Sequence, residues 1–159
     1  MLNPTEIDES FCREVFEQPG GKKFKECFQC GTCTSSCPVR AVVPSYNPRV
    51  LVKMVELGLR RSVLSSGLIW LCTYCRLCGE RCPQDVKFPE LVTVLRNMAV
   101  NAGYTHPSLV KLSSILLEHG RIYEVDDFTN SRRRQLGLPD VPVDKGEWEK
   151  FRPLLRLKR

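Results

Sequence analysis

No apolar stretch in this sequence approaches the ~20 residues that a membrane-crossing helix requires; the most apolar run, Gly67 to Cys72, is far too short. A membrane span is therefore not expected, and neither is insolubility. Histidine is scarce, with two in 159 residues, and neither suggests chemistry. His119 falls at an expected helix C-terminus, where the helix dipole accounts for it, and His106 precedes a proline at a helix start. The glycine-rich G-x-G-x-x-G and P-loop signatures are missing, which argues against the common nucleotide and flavin sites. The opening residues, MLNPTEIDES, lack the basic n-region and apolar core of a secretory signal. A cytoplasmic protein with reduced thiols is the expectation. No run alternates apolar and polar residues long enough to specify a strand.

Against these absences stand nine cysteines. The 42% hydrophobic and 26% charged fractions are those of an ordinary globular protein. A chain of this length buries about 68–70% of its unfolded surface, so it needs no disulfides to fold. In a reducing compartment clustered cysteines more often bind metal or do redox work than form bridges. Eight of the nine fall in an internal repeat. ECFQCGTCTSSCPV, residues 26–39, and LCTYCRLCGERCPQ, residues 71–84, share one spacing: Cys27, Cys30, Cys33, Cys37 with Pro38, then Cys72, Cys75, Cys78, Cys82 with Pro83.

The rest of the chain reads as helices. Residues 6–17 place Ile7, Phe11, Val15 and Phe16 at helical spacing before a Pro19-Gly20-Gly21 stop. Asn47 as N-cap and Pro48 at the first helical position open a helix carrying Val50, Leu51, Met54, Val55 and Leu57, which stops near Gly58. Residues 89–102 present a broad apolar face ending at Gly103, and a further helix runs from Pro107 to Gly120. The expected fold is mainly α, with helices boxing two cysteine-rich turns in residues 1–130. Residues 131–159 read as an irregular, proline-interrupted basic extension with room for one short helix around Trp148 to Leu155.

That extension carries the charge. It holds nine basic and four acidic side chains, a net +5, which leaves +1 for residues 1–130. A nucleic-acid surface would interleave basic and aromatic residues over a folded face. Here the basic residues lie among Pro139, Pro142 and Pro153, as in a solvated or partner-docking segment, and no nucleic-acid partner is expected.

C-x2-C-x2-C-x3-C-P is the bacterial pattern of iron-sulfur ligation. Two-residue gaps let a tight turn present three sulfurs to one side, and Gly31 and Gly79 suit such turns because glycine tolerates positive φ. The fourth cysteine, followed by a proline that redirects the chain, is better placed to reach a second cluster. Cluster one is then expected on Cys27, Cys30, Cys33 and Cys82, and cluster two on Cys72, Cys75, Cys78 and Cys37. With cysteine at all eight positions, both centres should be 4Fe-4S clusters of low potential. Zinc is the main rival, but zinc sites usually use two well-separated C-x2-C pairs, not three thiolates in seven residues. Cys12 lies outside both motifs, on an apolar helix face, and is expected in the core. No residue reads as catalytic.

Together, ECFQCGTCTSSCPV, YNPRVLVKMVELGL, the IWLCTYCRLCGERCP block and VKFPELVTVLRNMAV resemble HdrC, the small two-cluster subunit of heterodisulfide reductase, over about residues 10–125. The twin cysteine motif alone would match many ferredoxins. Asn47-Pro48-Arg49 and Ile69-Trp70-Leu71 ahead of Cys72 make the likeness more specific. The resemblance implies an α-helical ferredoxin fold. It also implies an electron-transfer role between HdrA, the flavin-bearing subunit, and HdrB, which reduces the disulfide of coenzyme M and coenzyme B, with a hydrogenase or formate dehydrogenase as a further partner of the larger assembly. No adjacent Cys-Cys pair is present, so the chain alone is not expected to reduce a disulfide. The iron-sulfur subunit of a hydroxyacid, glycerol-3-phosphate or succinate-type dehydrogenase shares the twin motif and is the alternative.

Overall fold

The computed structural model describes residues 6–142, 146–151 and 153. Among them, all regular structure is helical, as the absence of alternating segments implied. The chain forms two compact units, residues 1–105 and 106–159. Composition alone had set a boundary at residue 130, a position inside a helix, Asp127–Gln135, of the second unit.

Among the described residues the first unit contains seven helices. Helix α1 (Glu9–Glu17) is capped by Asp8, whose carboxylate accepts from the Ser10 amide at 3.0 Å. Two short helices, α2 (Thr32–Ser35) and α3 (Pro38–Val42), follow the first cysteines. Helix α4 (Pro48–Glu56) begins as its sequence specifies, with the Asn47 side chain accepting from the Val50 amide at 3.2 Å and Pro48 in the first turn. Helix α5 (Arg60–Leu64), the single turn α6 (Leu77–Glu80) and the long α7 (Phe88–Asn101) complete the unit. Two 3-10 turns, Lys22–Glu26 and Gly67–Leu71, lead into Cys27 and Cys72 respectively; neither has a period that sequence patterning reveals.

Packing fixes this arrangement. Phe11 and Val15 of α1, Leu51 and Val55 of α4, Val63 of α5, and Leu91 and Leu95 of α7 are essentially inaccessible, with Phe24 and Ile69 from the two 3-10 turns beside them. Each such side chain contributes about 1.5–3 kcal/mol over an exposed position. Arg60 ties the start of α5 to α1 through Asp8 and, at 2.7 Å, Glu14. The Ser10 hydroxyl and Arg60 hold the Asp8 carboxyl down at about 2, and the same two groups, Arg60 first, lower that of Glu14. These ion pairs are partly solvated and contribute far less than the core. They set the register of α1 and do not create its position.

Two glycines are required by close approach. A Cβ on Gly21 would stand 1.8 Å from the Val15 carbonyl oxygen, and one on Gly58, where φ is +74°, would stand 2.6 Å from that of Asp8. The expected stops after α1 and α4 therefore do more than end helices: they let chain segments touch.

The second unit contains α8 (Pro107–His119), α9 (Asp127–Gln135) and α10 (Gly146–Phe151). Helix α8 has the expected bounds and an αL cap at Gly120, yet none of its residues is buried. Asn130 brackets Val141, donating to its carbonyl at 3.2 Å and accepting from its amide at 2.9 Å. The Trp148 indole donates to the Leu117 carbonyl at 3.1 Å. Arg132, Arg133 and Arg134 occupy the last turn of α9, where cations complement the dipole. The expected short helix at 148–155 overlaps α10, with residues 152, 154 and 155 outside the described residues.

Asn47 does two jobs, because its side-chain oxygen also accepts from the Thr34 hydroxyl at 2.7 Å, stitching the first motif to α4. Asn47→Ala should cost about 1–2 kcal/mol through loss of the cap, read as a lower melting temperature in thermal unfolding followed by far-ultraviolet circular dichroism. An unchanged transition would show that the cap does not hold α4.

Candidate metal centre

The two motifs adopt nearly the same backbone. In each, the residue before the second cysteine and the residue after it have positive φ: Gln29 (63°) and Gly31 (85°) in the first, Tyr74 (58°) and Arg76 (64°) in the second. The third cysteine then sits in a single helical turn, Cys33 in α2 and Cys78 in α6. The expectation that Gly79 serves this turn is corrected: Gly79 lies within α6, and Arg76 takes the left-handed position that Gly31 takes in the first motif. That conformation disfavours a Cβ. Arg76 is held there by stacking on Tyr74, 5.2 Å from the ring centre, and by an ion pair with Glu90 at 3.1 Å.

Helices α2 and α6 pack together, which brings the motifs face to face. Two cavities open at this junction. Cys27, Cys30 and Cys33 line the first, together with Cys82, Cys78, Arg49 and Phe88. Cys37, Cys72, Cys75 and Cys78 line the second, together with Tyr46, Arg76 and Phe88. The fourth cysteine of each motif thus lies in the wall of the other motif's cavity, and Cys78 and Phe88 stand between the two. Cys30 and Cys75 are exposed, Cys78 is buried and the other five are intermediate. Cys12 lines neither cavity and packs against the core. Among the described residues no three Cys, His, Asp or Glu side chains converge on a point as ligands of a single ion.

Hydrogen bonds reach the first set of sulfurs. The Val86 amide donates to Cys82 at 3.4 Å and the Gln29 side-chain amide donates to Cys27 at 3.4 Å. Cys30 and the Thr32 hydroxyl lie 3.4 Å apart, and that hydroxyl, able to donate to a thiolate, lowers the Cys30 pKa. Burial acts the other way. It raises Cys27 and Cys33, with Cys82 and Cys30 adding repulsion at both, and pushes Cys78 up to about 12, helped by Cys72, Cys33, Cys75 and Cys37. Four sulfurs crowded at each site are unstable as thiolates unless a cationic core compensates them. The donor set fits an iron-sulfur cluster on those grounds.

Sequence reasoning passed over Arg96. From α7 its guanidinium donates to the carbonyls of Ile69 (2.9 Å), Trp70 (3.2 Å) and Cys72 (2.7 Å), and it lies over the Trp70 ring at 5.6 Å. It pins the 3-10 turn that delivers Cys72. An arginine among the apolar residues of α7 was the available signal, but its partners are backbone atoms, which no motif records. Arg49 was noted only as part of a family signature. It lines the first cavity, and its charge helps to lower Cys30.

A helical bundle that presents eight cysteines as two crossed sets belongs to the class of two-cluster ferredoxin-like domains. A family model described as a 4Fe-4S dicluster domain matches residues 23–86. Relatives extend the likeness over most of the chain. The C subunit of the H2:CoB-CoM heterodisulfide,ferredoxin reductase of Methanothermobacter thermautotrophicus is 35% identical over 142 residues, 89% of this chain and 76% of the relative. The iron-sulfur C subunit of the CoB–CoM heterodisulfide reductase of Methanopyrus kandleri is 33% identical over 150 residues, 93% and 78%. The corresponding C2 subunit of Methanocaldococcus jannaschii is 38% identical over 146 residues, 87% and 77%. The chain belongs to the HdrC family of heterodisulfide reductase iron-sulfur subunits. It carries two 4Fe-4S clusters, and among the described residues no helix is long and apolar enough to cross a membrane.

Removing the Arg96 guanidinium leaves three carbonyls without their donor. Arg96→Ala should destabilise the first unit by roughly 3 kcal/mol, since hydrogen bonds from a charged donor are each worth about 1.5–3 kcal/mol and part is recovered by water. Thermal unfolding of the cluster-loaded protein measures this, and Arg96→Lys, which cannot span all three carbonyls, should recover only part. A wild-type transition in Arg96→Ala would show that the Cys72 turn holds itself.

Proposed function

We propose that this chain is the electron relay of a heterodisulfide reductase complex, with one cluster on Cys27, Cys30, Cys33 and Cys82 and the other on Cys72, Cys75, Cys78 and Cys37. The observation that carries the ligand sets is the exchange of fourth cysteines between cavities. Bound there, a 4Fe-4S cluster accepts and passes on one electron at a time.

The protein's own part is to hold and bias. Eight thiolates fix both cages, and because each motif closes the other's site, neither half is complete alone. The donors on Cys82 and Cys27 stabilise negative charge on sulfur, the Thr32 hydroxyl lowers the Cys30 pKa, and Arg49 adds a positive charge at the first cavity. Each favours the reduced state, which carries one more negative charge. Cys78 and Phe88 wall both cavities, so the two centres are near neighbours across one layer of side chains.

The partners follow from the family. Electrons would enter from the flavin-bearing HdrA and leave to HdrB, where the coenzyme M–coenzyme B disulfide is reduced. A hydrogenase or formate dehydrogenase would supply them in a larger cytoplasmic assembly. The ninth cysteine, Cys12, packs against the core and lines neither cavity.

Anaerobically purified protein should contain close to eight irons and eight acid-labile sulfides and, after reduction, show the paramagnetism of two interacting centres. Stoichiometric zinc without sulfide would defeat the reading. Cys82→Ser should damage the centre shared with Cys27, Cys30 and Cys33. Damage confined to the centre of Cys72, Cys75 and Cys78 would overturn the crossed assignment. Purification of the native complex tests the partners, and its recovery with a dehydrogenase in place of HdrA and HdrB would overturn them.

A further inference from the structure

From the wall of the second cavity we infer that the Tyr46 hydroxyl donates a hydrogen bond to a sulfur of the second centre and raises that centre's reduction potential. The inference rests on the ligand sets proposed above. Tyr46 is 1% exposed and precedes the Asn47 cap, so the start of α4 fixes its backbone. Tyr46 lines the cavity formed with Cys37, Cys72, Cys75 and Cys78. Among the described residues its Oη is the one fully enclosed side-chain oxygen or nitrogen that meets no hydrogen-bond partner in the protein.

An enclosed hydroxyl left unsatisfied costs more than an ordinary hydrogen bond gains. Phenylalanine would fill the same space without that penalty, so a tyrosine here calls for a partner. The surroundings define its chemistry. Cys72, Cys37 and Cys78 line the same cavity, and a phenol keeps its proton at neutral pH. A protonated hydroxyl among electron-rich sulfurs has nothing to accept from and several atoms to donate to. The partner is therefore an acceptor carrying negative charge, a cysteine thiolate or a sulfide of the cage.

The two centres then differ in kind. Around the first, the donors to sulfur are an amide of the chain and an amide side chain. At the second, the donor is a phenol shut away from water, where a hydrogen bond to charge is strongest. Because the reduced centre is the more negative, the bond strengthens on reduction and favours it.

Tyr46→Phe removes one oxygen and keeps the ring. In redox titration of the cluster-loaded protein followed by electron paramagnetic resonance, one centre should become roughly tenfold harder to reduce, a shift of about 59 mV to lower potential for a one-electron couple. The other centre should be unmoved, iron should stay near eight per chain, and the melting temperature should not rise. Unchanged potentials with a raised melting temperature would overturn the inference, since the hydroxyl would then be an orphan whose removal relieves strain on the fold. Cys75→Ser, at an exposed ligand position, identifies which signal belongs to the second centre. If it alters no distinct signal, the ligand sets fail and the inference with them. If it marks a signal that Tyr46→Phe leaves in place, the inference fails alone. Should Tyr46→Phe lose iron, the reduced wild-type protein decides: after exchange into deuterium oxide, electron-nuclear double resonance should detect a strongly coupled deuteron at the second centre, and its absence would count against the bond.

Discussion

Like charge held in a confined space governs this protein. Cys27, Cys33 and Cys78 are pushed toward the protonated state by burial and by neighbouring cysteines, so the thiols resist the charge that ligation demands. A cationic inorganic core reverses the balance. On the ligand sets proposed above, a cage at either site binds both motifs together, which couples cluster binding to folding.

The helices serve that constraint. Helices α1, α4, α5 and α7 contribute to one apolar core, and polar devices reach from it to the cysteine turns. Asn47 holds Thr34 of the first motif at the head of α4. Arg96 holds the carbonyls ahead of Cys72 from the side of α7, and Glu90 in the first turn of α7 pairs with Arg76 of the second motif. The core fixes where the turns start, while these contacts fix how they are presented.

Much of this was legible in the residues. The apolar period gave α1, α4, α7 and α8 to within a few positions, and the Asn-Pro signal marked the start of α4 because capping is a local interaction. The repeat of cysteine spacing identified the chemistry for the same reason. What escaped was non-local or aperiodic. The 3-10 turns have no signature period. Arg76 in a left-handed conformation contradicts the preference for glycine, since stacking and an ion pair from α7 outweigh local cost. Asn130 reaches Val141 across eleven residues, a contact that composition does not encode. Nothing in the sequence singles out Tyr46, because only its setting reveals that its hydroxyl is enclosed without an ordinary hydrogen bond.

Diffraction from anaerobically grown crystals, recorded on either side of the iron absorption edge, tests the central claim most directly. The account predicts two compact groups of four irons, one bonded to the sulfur of Cys82 beside Cys27, Cys30 and Cys33, the other to Cys37 beside Cys72, Cys75 and Cys78. Irons bonded only by the cysteines of a single motif would contradict it.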